Sequence, residues 1–234
     1  LREIPYYGLM ECKVGGADCV ISQTGFTGEK GYEIYVRDAH ANAEKMWNAV
    51  LEAGEEFGLM VIAPAHHRRI AAGILSWGQD LDHETSPFQV NLSYQVPRNK
   101  KSDYIGKEEL ERQRAIIDEG NAPFKMKMVG ITLGGKEITN YAPDFWLVTD
   151  TEDKEVGYVT SPWWSPELET NIALAWVPWE ASEVGTKYKV KLPDEYSETP
   201  GVSVDAEIVD VPFRESVNPN KREVQAAKGL DFAD

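Results

Sequence analysis

Near Asp118-Glu119-Gly120-Asn121-Ala122-Pro123 the sequence changes its pattern, and the two sides of that change cannot share one architecture. From residue 124 onward, short apolar runs recur at 126–133, 145–149, 155–160, 172–177, 187–192 and 204–211. Turn residues separate them: Gly134-Gly135, Pro143-Asp144, the stretch from Asp150 to Asp153, and Pro193-Asp194. No helical period is visible there. Strands at this spacing, joined by turns too short for crossover helices, read as a small antiparallel barrel or sandwich. The tail from Pro219 is polar and is expected to fray.

Before the change, strands and helices alternate. Residues 19–22 and 32–36 are rich in β-branched and aromatic side chains and read as strands. Between them Gly25, Gly28 and Gly31 make a tight, backbone-exposed connection. Asp38 is placed to cap a helix, whose Ala43, Met46, Trp47, Val50 and Leu51 form a stripe expected to be buried. Gly54 or Gly58 ends it. Pro64 opens a second helix, about 64–73, with Ile70 and Ile74 on one side, and a third runs from near Gly106 to Ile117. This half is α/β or α+β.

Charge narrows the partners. Against 24 Lys+Arg stand 39 Asp+Glu, a net charge of −15. Sequence-independent nucleic-acid binding and docking on anionic membranes both need a cationic face, so neither is expected. No run approaches the eighteen apolar residues of a membrane span, and no signal peptide is expected. The two cysteines, Cys12 and Cys19, cannot build a disulfide framework and have no metal-site spacing. They read as structural thiols in a reduced, cytoplasmic chain. The chain opens on Leu1 rather than Met and reads as part of a longer polypeptide.

Common catalytic signatures are missing: no GxSxG elbow, no Walker motif, no HExxH. The spacing of Gly25, Gly28 and Gly31 is not the dinucleotide fingerprint. His66-His67-Arg68-Arg69 is the most basic spot, but helical neighbours point about 100° apart, so these four cannot share a face. Two adjacent histidines without further His or Cys make poor metal ligands, and no metal is expected. Glu33 stands mid-strand, with 33 and 35 on one face and 32, 34 and 36 on the other. A carboxylate there is either exposed or paired, because burying it alone is costly; exposure is the simpler reading of the residues alone. Trp77, Tyr94, Trp163 and Trp164 offer flat surfaces for a heterocycle, or ordinary packing.

Taken together, the motifs resemble one family. Ile21-Ser22-Gln23-Thr24-Gly25-Phe26-Thr27-Gly28-Glu29-Lys30-Gly31-Tyr32-Glu33-Ile34 resembles the SRTGYTGEDGFEI segment of the glycine-cleavage T-protein, the aminomethyltransferase. The stretch from Arg69 to Leu81 resembles its RLEAGLCLYGNDI segment, and Asp103-Tyr104-Ile105-Gly106-Lys107-Glu108-Glu109-Leu110 its DFIGKEAL. Val129-Gly130-Ile131, Val156 to Ser161, Asn171 to Ala175 and Val211-Pro212-Phe213 follow in the order of the family's C-terminal barrel. The resemblance implies an α+β chain: a mixed α/β folate-binding half-domain over 1–118, then a small antiparallel β-barrel domain over 119–234.

It also implies tetrahydrofolate as cofactor. Glu33 matches the pterin-binding glutamate, and a carboxylate suits a ring N–H beside an exocyclic NH₂. Arg69 matches the arginine at the folate site, where a cation suits an anionic tail. Tyr32 and Trp77 line the same cofactor site by this resemblance. The family's catalytic aspartate lies in a further N-terminal portion without a counterpart here, so no catalytic residue is assigned.

Departures bear on the donor. Gln23 stands for the usual arginine, Trp77 for a tyrosine, Gln89 for a glutamate, His66-His67 for Asp-Ser or Asp-Thr, and Arg214-Glu215-Ser216 for tyrosines. The pattern is closer to the family's demethylase branches, which move methyl from dimethylsulfoniopropionate or methoxy-aromatics to folate N5. Trp77 and Tyr94 are then candidates to touch a small-molecule methyl donor. The alternatives are an authentic T-protein, partnered by a lipoyl carrier protein, and a non-catalytic folate-binding regulatory relative.

Overall fold

Val14-Gly15-Gly16-Ala17 turns the chain back on itself. Gly15 and Gly16 have φ of 56° and 79°, the left-handed pair that a two-residue hairpin needs to match strand twist. The turn joins β1 (Leu9–Val14) to β2 (Ala17–Ser22). Sequence reading overlooked β1, although two glycines between apolar runs are a hairpin signal. The computed structural model describes residues 4–64, 66–98, 100–140 and 142–213; the tail from Pro219 and Arg214-Glu215-Ser216 lie outside them.

The described residues fall into two compact units, one up to residue 64 and one from His66 on. In the first, β3 (Glu33–Val36) pairs antiparallel with β2 to complete a three-stranded sheet in the order β1-β2-β3. Helix α1 (Ala39–Gly54) packs beside all three strands. Its expected buried stripe is corrected: no α1 residue is fully buried, and Trp47 is 49% exposed. Three strands are too narrow a platform to cover the stripe, so Met46, Val50 and Leu51 are only half-covered. Beyond α1, Phe57, Met60, Val61 and Ile62 are also exposed. Asp38 sits at the cap position, but at φ 48° its side chain makes no capping bond; its carbonyl accepts from the amides of Ala41 and Asn42 instead.

In the second unit α2 spans His66–Ala71, shorter than the expected 64–73. Gly73, at φ 67°, stops it: the Gly73 amide donates to the Ile70 carbonyl and the Ile74 amide to that of Arg69, which closes the helix end and leaves Ile74 outside. Helix α3 is Lys107–Asp118, starting at Gly106 as expected.

Six strands follow: β4 (Met126–Leu133), β5 (Trp146–Thr149), β6 (Glu155–Ser165), β7 (Thr170–Pro178), β8 (Lys187–Val190) and β9 (Val204–Val209). They close into an antiparallel barrel in the order β4-β7-β6-β5-β8-β9. The chain is thus α+β with a C-terminal barrel. Successive side chains in a strand point to opposite faces. Val129, Ile131 and Leu133 of β4, with Ala173, Ala175 and Val177 of β7, fill the barrel interior. Met128, Ile172, Leu174 and Trp176 point outward onto Ile70 and Ala71 of α2 and onto Val90. Strand β7 is therefore buried on both faces, which its continuous apolar run reflects.

Candidate functional site

The expected site residues fall in both units: Tyr32 and Glu33 in the first, Arg69 and Trp77 in the second. Each group is built locally.

Glu33 begins β3 opposite Ser22 of β2. It is half-buried rather than exposed, because neighbouring hydroxyls occupy it. Its Oε2 accepts from the Thr24 hydroxyl and from the Tyr35 hydroxyl at 3.2 Å. Ser22 and Thr24 are joined at 2.6 Å, so a hydroxyl chain runs into the carboxylate. A carboxylate has about four acceptor positions, two on each oxygen; both hydroxyl bonds fall on Oε2, so the positions on Oε1 stay open to a further donor. Tyr32 is half-buried, and its hydroxyl accepts from Gln23 Nε2 at 3.4 Å. Gln23 itself is 1% exposed.

Arg69 is 2% exposed and forms an ion pair at 2.7 Å with Asp80, whose side chain is fully buried. Its Nη1 also donates to the Ile74 carbonyl, and Nη2 to Ser161 Oγ at 2.7 Å and to Gln79 Oε1. Asp80 balances the Arg69 charge inside the protein.

Asp80 is the hub. Its Oδ2 accepts from Arg69 and from the Ser76 amide, both at 2.7 Å; its Oδ1 accepts from Thr160 at 2.6 Å and from Ser161 at 2.5 Å. The Trp176 indole donates to its carbonyl at 3.0 Å. Two consecutive hydroxyls reach one carboxylate because β6 carries a bulge: its register against β7 slips between Val159 and Ser161. A regular strand would point Thr160 and Ser161 to opposite faces; the extra residue re-aims them. Gln79 donates to the Thr160 carbonyl at 2.6 Å, which ties the 74–81 segment to the barrel wall.

Beside this hub a shallow pocket opens between His66, Gln79, Pro162 and Trp163, with Arg69 and Ser161 at its base. The His66 and Trp163 rings lie 5.2 Å apart. Burial, and then the nearby Arg69 charge, hold the His66 imidazole below its usual pKa and favour the neutral ring. Trp77 is 60% exposed, with its edge against His83 at 4.7 Å; Tyr94 is also exposed. Gln89 donates to the Met126 carbonyl and accepts from the Ser86 amide, a double role that a glutamate could not fill. No group of His, Cys, Asp and Glu arranged to hold a metal occurs among the described residues, and no helix among them is long and apolar enough to cross a membrane.

Asp80 was overlooked as a site residue. A signal was present: Arg69 adjoins Ile70-Ala71-Ala72, and a charge buried in such a run demands a counter-ion.

An α+β chain with a closed C-terminal barrel is an architecture that known proteins share. The GCVT N-terminal domain matches residues 1–100 and the glycine cleavage T-protein C-terminal barrel domain matches 126–214. The chain belongs to the glycine-cleavage T-protein superfamily. It is 32% identical over 216 residues to an aminomethyltransferase of Geobacillus sp. WCH70, covering 91% of this chain and 54% of that protein. To an aminomethyltransferase of Clostridium botulinum Okra it is 33% identical over 195 residues, covering 82% of this chain and 50% of the relative. The crystal structure of the glycine cleavage system aminomethyltransferase T from Bartonella henselae shares the fold at TM-score 0.70, with 22% identity over 92% of this chain and 54% of that one. The chain spans about half the length of the relatives it matches.

Proposed function

We propose that this chain is the folate-site and barrel portion of a tetrahydrofolate-dependent one-carbon transferase of the aminomethyltransferase type. Residues 1–118 then contribute to the folate-binding domain and 119–234 form the barrel domain. The observation that carries the reading is Glu33, a half-buried carboxylate oriented by Thr24 and Tyr35 with acceptor capacity left over. Its open Oε1 can accept an N–H of a pterin ring, and the second N–H of the pair would take the place of the Tyr35 hydroxyl on Oε2; Tyr32 is its neighbour in sequence. When bound, tetrahydrofolate supplies the nitrogen that accepts the one-carbon unit. Glu33 orients the ring, and the Thr24 hydroxyl fixes the rotamer of Glu33. Arg69 acts through position: locked to Asp80, it anchors the 74–81 segment that presents Trp77. The protein's contribution is alignment of donor and acceptor.

The relatives carry the name aminomethyltransferase, which favours the T-protein reading and a lipoyl carrier as partner over a demethylase with a free small-molecule donor. Exposed Trp77, in place of the family's tyrosine, is what keeps a methoxy-aromatic or sulfonium donor in play. A cytoplasmic setting, with neither nucleic acid nor membrane as partner, accords with the net charge of −15.

Tryptophan fluorescence during a tetrahydrofolate titration tests the site. Saturable quenching is expected, weakened about ten- to a hundredfold in Glu33→Gln, since a hydrogen bond to a charged group contributes about 1.5–3 kcal/mol. Glu33→Gln should unfold at the wild-type temperature. Equal affinity in the variant, or no quenching in the wild type, removes the reading. Turnover of an aminomethyl-lipoyl donor but not of methoxy-aromatic or sulfonium donors selects the T-protein reading; the reverse selects the demethylase.

A further inference from the structure

Cys12 and Cys19 lie seven positions apart in sequence, yet the first hairpin makes them direct Cα partners. Both are free thiols. Partners across an antiparallel pair project to the same face, so the two sulfurs share one side of the sheet. The turn fixes this: Gly15-Gly16 sets Val14 opposite Ala17, and the register continues through Cys12↔Cys19 to Leu9↔Ser22 without a bulge.

The kind of pair matters. In a two-residue hairpin the residues flanking the turn exchange hydrogen bonds, and every second pair beyond them does too. Val14–Ala17 is the first such pair, so Cys12–Cys19 is the next. The Gln23 amide bonded to the Gly8 carbonyl at 3.0 Å continues the same alternation past the strand end. At a hydrogen-bonded pair the Cα atoms stand about 5.5 Å apart, inside the window of about 4.4–6.8 Å that a disulfide spans. The side chains are less close there than at the alternate pairs, so a bridge forms with strain, and a strained bridge is easily reduced. Exposure also differs between the two. Cys19 is 1% exposed, with its Sγ 3.4 Å from the Ala17 carbonyl, whereas Cys12 is half-buried and reachable from solvent.

We propose that Cys12 and Cys19 form a reversible thiol–disulfide site, with Cys12 as the attacking thiol and Cys19 as the resolving one, and a low-molecular-weight disulfide of the glutathione class as oxidant. The Cys12 thiolate attacks one sulfur of that disulfide. The S–S bond breaks, one thiolate leaves, and a mixed disulfide forms on Cys12. The Cys19 thiolate then attacks the Cys12 sulfur and expels the second small thiolate. The two protons lost by the cysteines protonate the two released thiolates. The protein loses two hydrogens, the oxidant gains them, and no other reactant is needed. The product staples β1 to β2. This inference is independent of the folate reading.

The test equilibrates the folded chain in buffers of graded reduced and oxidised glutathione, traps it with an alkylating reagent, and weighs it intact. Because Cys12 and Cys19 are the two cysteines of the chain, the species are distinct by mass. The expected result is a monomer about 2 Da lighter with neither thiol alkylated, reversed by reduced glutathione. A peptide map without reductant should join the segments carrying Cys12 and Cys19. A glutathione adduct that persists on Cys12, a disulfide-linked dimer, or a bridge that forms only in denaturant would each overturn the proposal. Lys13→Cys in a Cys12→Ser background places a thiol on the opposite face of the hairpin, and no intramolecular bridge should form in the folded state.

Discussion

At the scale of single residues, Asp80 shows what a buried charge requires. Arg69, Ser76, Thr160 and Ser161 all donate to it, so its acceptor positions are filled and its charge is matched. Removing one partner of such a pair leaves the other buried and uncompensated, at a cost of about 3–5 kcal/mol. Asp80→Ala should lower the stability of the barrel unit by that amount in urea denaturation; a loss below 1 kcal/mol would show that the pair contributes little. His66 gives a pH dependence with a definite sign. Its folded pKa lies below the usual 6.5 because of burial and the Arg69 charge. The unfolded chain therefore binds the proton more readily, and stability falls as pH drops below about 6.5. The cost stops growing once pH is below the folded pKa. Melting temperatures from pH 5 to 8 should show this decline in the wild type, and His66→Gln should flatten it.

At the scale of elements, the barrel's strands depend on close approach as much as on apolar pattern. Gly157 lies in β6 against β7, and a Cβ there would stand 2.0 Å from the Trp176 carbonyl oxygen. That atom is backbone and cannot rotate away, so Gly157→Ala must displace the β6–β7 pairing. Overpacking of this kind costs about 1–3 kcal/mol, and the midpoint of denaturant unfolding should fall accordingly. A midpoint unchanged from wild type would mean that the two strands can separate without loss. The bulge at Thr160 belongs to the same scale. It turns two hydroxyls onto one carboxylate, in a strand that runs past the expected 155–160 to Ser165.

At the scale of the molecule, the residues from His66 on hold two apolar clusters, one inside the barrel and one between its outer wall and α2. A unit with its own core should fold alone. A chain cut to 64–213 should unfold cooperatively with the fluorescence change of a buried Trp146 and Trp176; a non-cooperative, dye-binding product would show that the first unit is required. The same packing explains why the compact units part at 65/66, whereas the change of sequence pattern lies near 118: α2 and the 74–91 segment belong to the barrel wall by contact.

The six barrel strands were legible because short apolar runs bounded by turn residues are local properties of the sequence. Helix α3 was legible from its entry glycine and its length, whereas the residues alone read Glu33 as exposed, and it is half-buried. Tertiary structure alone decided the rest. Arg69 reads as a spare cation until Asp80, eleven residues on, and Ser161, across the barrel wall, are brought against it. Cys12 and Cys19 read as unrelated thiols until the register pairs them. The α1 stripe reads as buried, but whether it is covered depends on the width of the surface it meets. The physical reason is common to all three. Propensity and periodicity act over one or two turns of chain, whereas the cost of a bare charge, the reach of a thiol and the covering of an apolar face are fixed by which distant atoms arrive there.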